Sequence, residues 1–164
     1  MSVSELSTST QNYLKAIWGL KEWSSEPVTA TLISARLGLK LSSVSDAVRK
    51  MTKQGLVSHT PYGAVELTGR GRQYALDMVR RHRLLESFLV QALDYTWDEV
   101  HDEAENLEHA VSDMLIERVD KFLNFPSRDP HGDPIPTADG NITIPRAHRL
   151  SDSGAQSQVI VERI

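Results

Sequence analysis

The stretch VTATLISARLGLKLSSVSDAVRKMTKQGLVSHT, residues 28–60, contains the clearest secondary-structure signals of this chain. It predicts a short helix that ends near Gly38 and a second helix that begins near Leu41 and is capped by Gly55. The serines at the start of the second helix are typical of amino-terminal caps. After Gly55 the segments LVSHT and AVELT flank the turn PYG, which predicts a two-stranded hairpin.

The flanking sequence completes a winged helix-turn-helix. A helical pattern before the stretch runs through Tyr13 to about Trp23, and a long helical pattern follows from Gly71 to about Leu93. Two further helices are predicted at 98–110, opened by a cap in TWDE, and at 113–123. From Asn124 onward proline and glycine predict a linker. The fold class is therefore mainly α with a small β wing.

Composition limits the possible functions. The chain has 164 residues, 40% of them hydrophobic and 24% charged, and contains no cysteine. The lack of cysteine excludes disulfides, thiolate zinc sites and cysteine nucleophiles. With no signal peptide and no apolar run long enough for a membrane span, we expect a cytoplasmic protein without a membrane partner. Residues 1–83 contain 12 Lys plus Arg and 6 Asp plus Glu, whereas residues 84–164 contain 6 Lys plus Arg and 16 Asp plus Glu. A basic first half and an acidic second half suggest that the two halves have different functions.

The segment HDEAENLEH, residues 101–109, predicts a metal site. Four of its side chains fall within an arc of about 100° beside the apolar face of the helix. These four are His101, Glu105, Glu108 and His109. In the preceding helix His82 and Glu86 interrupt the apolar stripe one turn apart. The alternative is a solvated acidic helix face without a metal. That alternative could explain any single one of these six residues, but it does not explain why all six occur together.

The sequence matches none of the enzyme motifs that these residues could suggest. Glu105 stands where H-E-x-x-H would need a histidine, and Asn106 stands where E-x-x-H would need a glutamate. The chain also has no P-loop, G-x-S-x-G or dinucleotide fingerprint. We therefore expect a protein that is not an enzyme and has no organic substrate. A small non-haem metal enzyme using His82, Glu86 and His101 is the alternative.

The chain resembles the diphtheria-toxin-repressor family of metal-dependent transcriptional repressors over roughly residues 8–140. The resemblance rests on six segments in matching order and spacing. These are NYLKAIWGL, SSVSDAVRKMTKQGLV, ELTGRGR, RRHRLLESFL, VHDEAENLEH and DPHGDPIP. It implies a winged helix-turn-helix domain at 1–74, a helical metal-binding and dimerisation domain at 75–140, and a linker with the possible start of an SH3-like domain at 141–164.

The resemblance also implies two metal sites. The primary site would use Asn12, Glu105, Glu108 and His109, with Gln11 or Thr10 as alternatives to Asn12. The ancillary site would use His82, Glu86 and His101. Lys15 stands where some manganese-responding members have a ligating glutamate, so a two-metal cluster is not implied.

The implied metal is Mn²⁺. The position of Glu105 is a cysteine in the iron-responding branch and a glutamate in the manganese-responding branch. Carboxylates, an amide oxygen and imidazole form a hard site that suits Mn²⁺, and Fe²⁺, Co²⁺ or Zn²⁺ could also bind. An iron-dependent repressor is the alternative within the family.

The implied partners are double-stranded operator DNA and a second copy of the chain. The first turn of the recognition helix is expected to reach base edges, and later basic residues are expected to contact phosphates. The predicted DNA-binding residues are Ser42, Ser43, Ser45, Asp46, Arg49, Lys50, Lys53 and, in the wing, Tyr62. Capping is the alternative role for the serines. A palindromic operator and control of metal-uptake genes follow from the resemblance, and a winged helix that senses an organic ligand is a further alternative.

Overall fold

The computed structural model describes residues 2–60, 63–145, 150, 153–154, 158–161 and 163. It has six α-helices and one two-stranded antiparallel sheet within these residues. The helices are α1 (Thr8–Glu22), α2 (Ala30–Leu37), α3 (Leu41–Lys53), α4 (Gly69–Leu93), α5 (Val100–Leu107) and α6 (Asp113–Phe122). The strands are β1 (Val57–His59) and β2 (Val65–Leu67). The predicted winged helix followed by helices is confirmed.

Local sequence explains how the helix-turn-helix and the wing begin and end. Thr29 caps α2, and Gly38, at φ 65°, ends it in the left-handed conformation that glycine adopts without strain. Gly55, at φ 69°, turns the chain from α3 into β1. Ser58 pairs with Glu66 at the centre of the hairpin. Tyr62, the predicted wing residue, lies outside the described residues.

Two hydrophobic cores share α4. The first core joins α1, α2, α3 and the hairpin to the amino-terminal part of α4, as far as Met78. The second joins α4 from Leu84 onward to α5, α6 and Ile135. One continuous helix therefore contributes to both cores and connects the amino-terminal half of the structure to the helical half.

Buried arginines lie on α4 between the two cores. Arg80 pairs with Asp120 at 2.6 Å, and Arg81 bonds to Asp113. Arg83 binds Glu22 of α1 through two bonds of 2.7 and 2.9 Å. Buried guanidinium groups are stable only when their charge is paired, so these contacts account for charged residues inside the protein.

Three sequence expectations need correction. First, α5 is shorter than the predicted 98–110 helix, because Thr96 bonds to Glu99 in a turn that precedes Val100. Second, the serines of α3 do not cap it, because the cap position is Lys40 and lacks a side-chain capping bond. Third, residues 126–137 do not form a free linker: Pro134 O accepts a 2.7 Å bond from Arg83, and Ile135 is buried in the second core.

Two further observations concern the rest of the chain. The predicted start of an SH3-like domain lies partly outside the described residues, and the described residues between 150 and 164 contain no strand. Within the described part of the chain, no helix is long and apolar enough to cross a membrane.

Candidate metal centre

The predicted ancillary residues meet between α4 and α5. His82 and Glu86 lie one turn apart on α4, and His82 Nε2 is 2.9 Å from Glu86 Oε1. His101 of α5 places its Nδ1 3.2 Å from the same carboxylate oxygen and 3.1 Å from His82 Nε2. One potential ligand atom from each residue lies within 4.8 Å of the others. The structure therefore brings together all three side chains that the sequence assigned to this site.

Two of the predicted primary residues lie on the other side of the His82 ring. His82 Nδ1 is 2.6 Å from Glu108 Oε2, and His82, Glu105 and Glu108 form a second group that could hold a metal ion. Glu108 is fully buried. His82 therefore stands between the two groups and faces each with a different ring nitrogen. The sequence assigned His82 to the ancillary site alone, because spacing along a helix does not show which neighbours a ring touches on its second side.

His109 follows α5 and faces α1. Its Nδ1 donates a 2.6 Å hydrogen bond to Gln11 Oε1, because an amide oxygen can only accept. The Gln11 amide nitrogen is held by Val3 O at 2.9 Å and Leu6 O at 3.0 Å. In the neutral imidazole this bond leaves the lone pair on His109 Nε2, which lies 3.6 Å from Glu108 Oε1. Metal-binding histidines are commonly oriented in this way by a second partner.

Asn12 offers an uncommitted oxygen. Its Oδ1 is buried and has no hydrogen-bond partner among the described residues. A buried amide oxygen without a partner is costly, and a cation would satisfy it. The structure does not place Asn12 in hydrogen-bond contact with Glu105, Glu108 or His109. From α1, Gln11 contacts His109, and Lys15 contacts both glutamates. Asn12 as a ligand stays a prediction.

The segment after α6 adds two residues that sequence reasoning missed. Asp129 and His131 form a third group with Glu86, and His131 Nδ1 is 3.7 Å from Glu86 Oε2. Asp129 Oδ1 accepts from the backbone N–H groups of His131 and Asp133, both at 2.9 Å, and so shapes its own loop. The signal was the D-x-H pattern in DPHGD, which the linker interpretation concealed.

The charges in the centre favour ionised carboxylates. Burial raises the pKa of Glu86, but hydrogen bonds from His101 and His82 outweigh it, and the pKa lies far below its usual range. Burial also raises the pKa of Glu105, but the charge and hydrogen bond of Lys15, together with the nearby His82 and His101, leave this pKa below its ordinary value. Burial lowers the pKa of His82, but bonds to Glu108 and Glu86 leave it above the ordinary value. Carboxylate oxygens, imidazole nitrogens and a spare amide oxygen are suitable donors for a divalent cation of the Mn²⁺ or Fe²⁺ type.

The predicted DNA-binding side chains share the outer face of α3. Val44, Val48 and Met51 are buried beneath it. The exposed residues on the outer face are Ser42, Ser43, Ser45, Asp46, Arg49, Lys50 and Lys53. Asp46 and Arg49 pair at 3.0 Å, and Ser45 Oγ donates to Leu41 O at 2.9 Å. Since the serines do not cap the helix, Ser42 and Ser43 project from its first turn, where such helices contact base edges.

Two protein-family models match this chain, one over each half. Residues 5–65 match the family model of the iron dependent repressor N-terminal DNA binding domain. Residues 68–137 match that of the iron dependent repressor metal binding and dimerisation domain. The iron-dependent repressor IdeR of Mycobacterium tuberculosis is 38% identical over 134 residues, which cover 82% of this chain and 58% of the relative. The diphtheria toxin repressor of Corynebacterium glutamicum is 35% identical over 155 residues, which cover 94% of this chain and 67% of the relative.

Solved structures give a second comparison. A manganese-dependent transcriptional repressor in complex with manganese is 56% identical, with a TM-score of 0.84 over 88% of this chain and 66% of that one. The manganese regulator SloR is 40% identical, with a TM-score of 0.72 over 84% of this chain and 63% of that one. This chain thus spans about two thirds or less of the length of these relatives. It belongs to the diphtheria-toxin-repressor family of iron-dependent repressors, a family of transcriptional regulators and not of enzymes.

Proposed function

We propose that the chain is a Mn²⁺-activated transcriptional repressor that binds a palindromic operator as a homodimer. The observation that carries the proposal is the meeting of α1 and α5. Gln11 of α1, in the DNA-binding core, bonds to His109, which lies beside the fully buried Glu108. Metal ligation here acts where the DNA-binding half meets the helical half.

The assignment of ligands follows the two clusters. Glu105, Glu108 and His109, with Asn12 from α1, would hold the primary ion. His82, Glu86 and His101 would hold the ancillary ion, and Asp129 and His131 are the nearest additional donors. When bound, a divalent cation supplies positive charge for the carboxylates and coordination bonds that link separate helices.

The activation mechanism uses the residues of the chain itself. Gln11 orients the His109 ring, and Glu108 holds a carboxylate at the junction of α1, α4 and α5. Ligation by these residues would fix α1 against α5. The helix α1 itself packs on α2 and the wing. In a dimer this angle sets the spacing of the two α3 helices, which must match about one DNA turn, roughly 34 Å, or a multiple. Metal would select the DNA-competent arrangement through its higher affinity for that arrangement.

The helical half offers a surface for the second copy. Large apolar side chains on and after α6 are exposed in the single chain, namely Met114, Leu115, Phe122 and Phe125. Exposed apolar patches of this kind are typical of protein interfaces. The surface lies in the segment that matches the dimerisation-domain model.

Manganese is favoured over iron by the donor set. Glu105 supplies a carboxylate at the centre, and the chain has no thiolate to offer a softer ion. The structure of highest identity cited above is a manganese-dependent repressor, whereas the curated relatives are named for iron or for diphtheria toxin repression. Iron is therefore the second candidate for the same site.

Glu105→Cys is expected to shift the metal preference toward Fe²⁺. A thiolate in place of the carboxylate is a softer ligand, so Mn²⁺ activation should weaken relative to Fe²⁺ activation by about tenfold. Half-activation concentrations of both ions in anaerobic DNA-binding assays measure the shift. Glu103→Cys, on the same helix, controls for the added thiol, and an unchanged ratio in Glu105→Cys would remove Glu105 from the metal site.

The experiment that tests the function is metal-dependent DNA binding. Genomic DNA fragments that bind the protein in the presence of Mn²⁺ are first selected. The affinity of the protein for a selected duplex is then measured by fluorescence anisotropy at fixed salt. We expect tight binding with micromolar Mn²⁺ that EDTA reverses. Equal binding with and without every metal tested would contradict the proposal.

A further inference from the structure

The ammonium group of Lys15 lies inside the carboxylate cluster of the primary centre. Lys15 Nζ is 2.5 Å from Glu105 Oε1 and 2.8 Å from both oxygens of Glu108. It is also 3.0 Å from His82 Nδ1. The Lys15 side chain is 17% exposed, and that of Glu108 is fully buried. A positive charge supplied by the chain thus contacts three of the groups that could ligate a metal.

Lys15 reaches this position from the DNA-binding core. It lies about one turn after Gln11 and Asn12 on α1, on the part of the helix that faces α5. Its bonds to Glu105 and Glu108 join α1 to α5, the same two helices that metal ligation would join. Charge-assisted bonds of this length are strong and offset the cost of burying Glu108.

A cation cannot bind Glu108 while the ammonium stays in place. Both oxygens of Glu108 are within 2.8 Å of Nζ, and two positive charges at such separation repel each other strongly in a partly buried site. The lysine can withdraw, because it lines an open cleft of about 570 Å³ that also contacts His101 and Glu105. Ligation therefore requires the lysine to move into the cleft.

We propose that Lys15 is a tethered competitor of the metal ion for Glu105 and Glu108, and that it sets the metal concentration at which the chain responds. The inference rests on the proposed function and deepens it. In the metal-free chain Lys15 stabilises the cluster and the contact of α1 with α5. Metal must displace this contact, so Lys15 weakens apparent metal affinity and keeps the centre unresponsive at low metal concentrations.

The test compares metal affinity in matched variants of the full chain. Lys15→Leu removes the charge and introduces no metal-binding atom. Lys15→Arg keeps the charge. Lys21→Leu removes a charge further along the same helix, where Lys21 Nζ donates to the backbone oxygens of Ser25 and Glu26. Mn²⁺ dissociation constants are measured from free Mn²⁺ by electron paramagnetic resonance.

We expect Lys15→Leu to bind Mn²⁺ about tenfold more tightly than the unmodified chain or Lys21→Leu, with Lys15→Arg close to the unmodified chain. Affinity within about twofold for all four proteins would overturn the inference. So would weaker binding by Lys15→Leu, since a competitor that is removed cannot lower affinity.

Thermal unfolding separates competition from a purely structural role. Lys15→Leu should melt at a lower temperature than the unmodified chain without metal, and the deficit should disappear when Mn²⁺ saturates both proteins. An equal deficit in both conditions would assign Lys15 a structural role and overturn the inference. DNA binding measured on the same proteins tests the proposed function separately: a tenfold gain in Mn²⁺ affinity without metal-dependent DNA binding would support the role of Lys15 and contradict the repressor.

Discussion

Glu108→Gln is expected to weaken Mn²⁺ binding by at least about a hundredfold and to abolish metal-stimulated DNA binding. Glu108 is fully buried, touches His82 through one oxygen and stands beside His109. The amide keeps the shape of the side chain but removes its negative charge, which is what a divalent cation requires from a ligand at this position. The amide oxygen can still accept hydrogen bonds from Lys15 and His82, and Lys15 keeps its ion pair with Glu105, so we expect the fold to be retained.

Calorimetric Mn²⁺ titration measures this loss, and circular dichroism checks the fold. Glu103→Gln makes the same chemical change on the same helix and is expected to bind Mn²⁺ as the unmodified chain does. If Glu108→Gln retained full metal affinity, Glu108 would not be a ligand and the primary centre would have to lie elsewhere.

Gly71→Ala is expected to destabilise the DNA-binding half by about 3 kcal/mol or more. A Cβ at Gly71 would lie 1.8 Å from the carbonyl oxygen of Leu56. That oxygen cannot move away easily, because it accepts bonds from both the backbone N–H and the hydroxyl of Thr68. Relief of the clash would therefore separate α4 from the start of the wing.

Chemical denaturation measures the change in the free energy of unfolding. Gly69→Ala is the matched control, because Gly69 also lies in the first turn of α4 and a Cβ there meets nothing within 4 Å. This control should be neutral or stabilising by up to about 1 kcal/mol, since alanine favours the helix over glycine. Similar stabilities for both variants would contradict the close approach of α4 to Leu56.

Most of the fold could be predicted because its signals are local. Apolar spacing placed the helices, Gly38 and Gly55 marked the turns, and alternation marked the hairpin. The largest error arose where a tertiary contact decides the structure. Prolines correctly indicated that no α-helix forms among the described residues after Asn124, but sequence pattern could not reveal that Arg83 would hold this segment against α4.

The metal site could be predicted in composition but not in arrangement. His82 and Glu86 are polar residues at positions where the apolar stripe of the helix predicts aliphatic side chains, and this marked them as candidate ligands. The position of His82 between two clusters, the bond from His109 to Gln11 and the approach of His131 to Glu86 depend on the packing of separate segments. Lys15 belongs with these, because only its placement against Glu105 and Glu108 reveals its effect on the centre.

We propose that metal ligation and DNA binding are coupled through the junction of α1 and α5. The most direct test is to measure the Mn²⁺ dissociation constant of the protein alone and of its complex with a selected operator duplex at the same salt concentration. Coupling is reciprocal, so Mn²⁺ should bind the complex more tightly by the same factor, about tenfold or more, by which Mn²⁺ tightens DNA binding. Equal Mn²⁺ affinity with and without DNA would contradict the account.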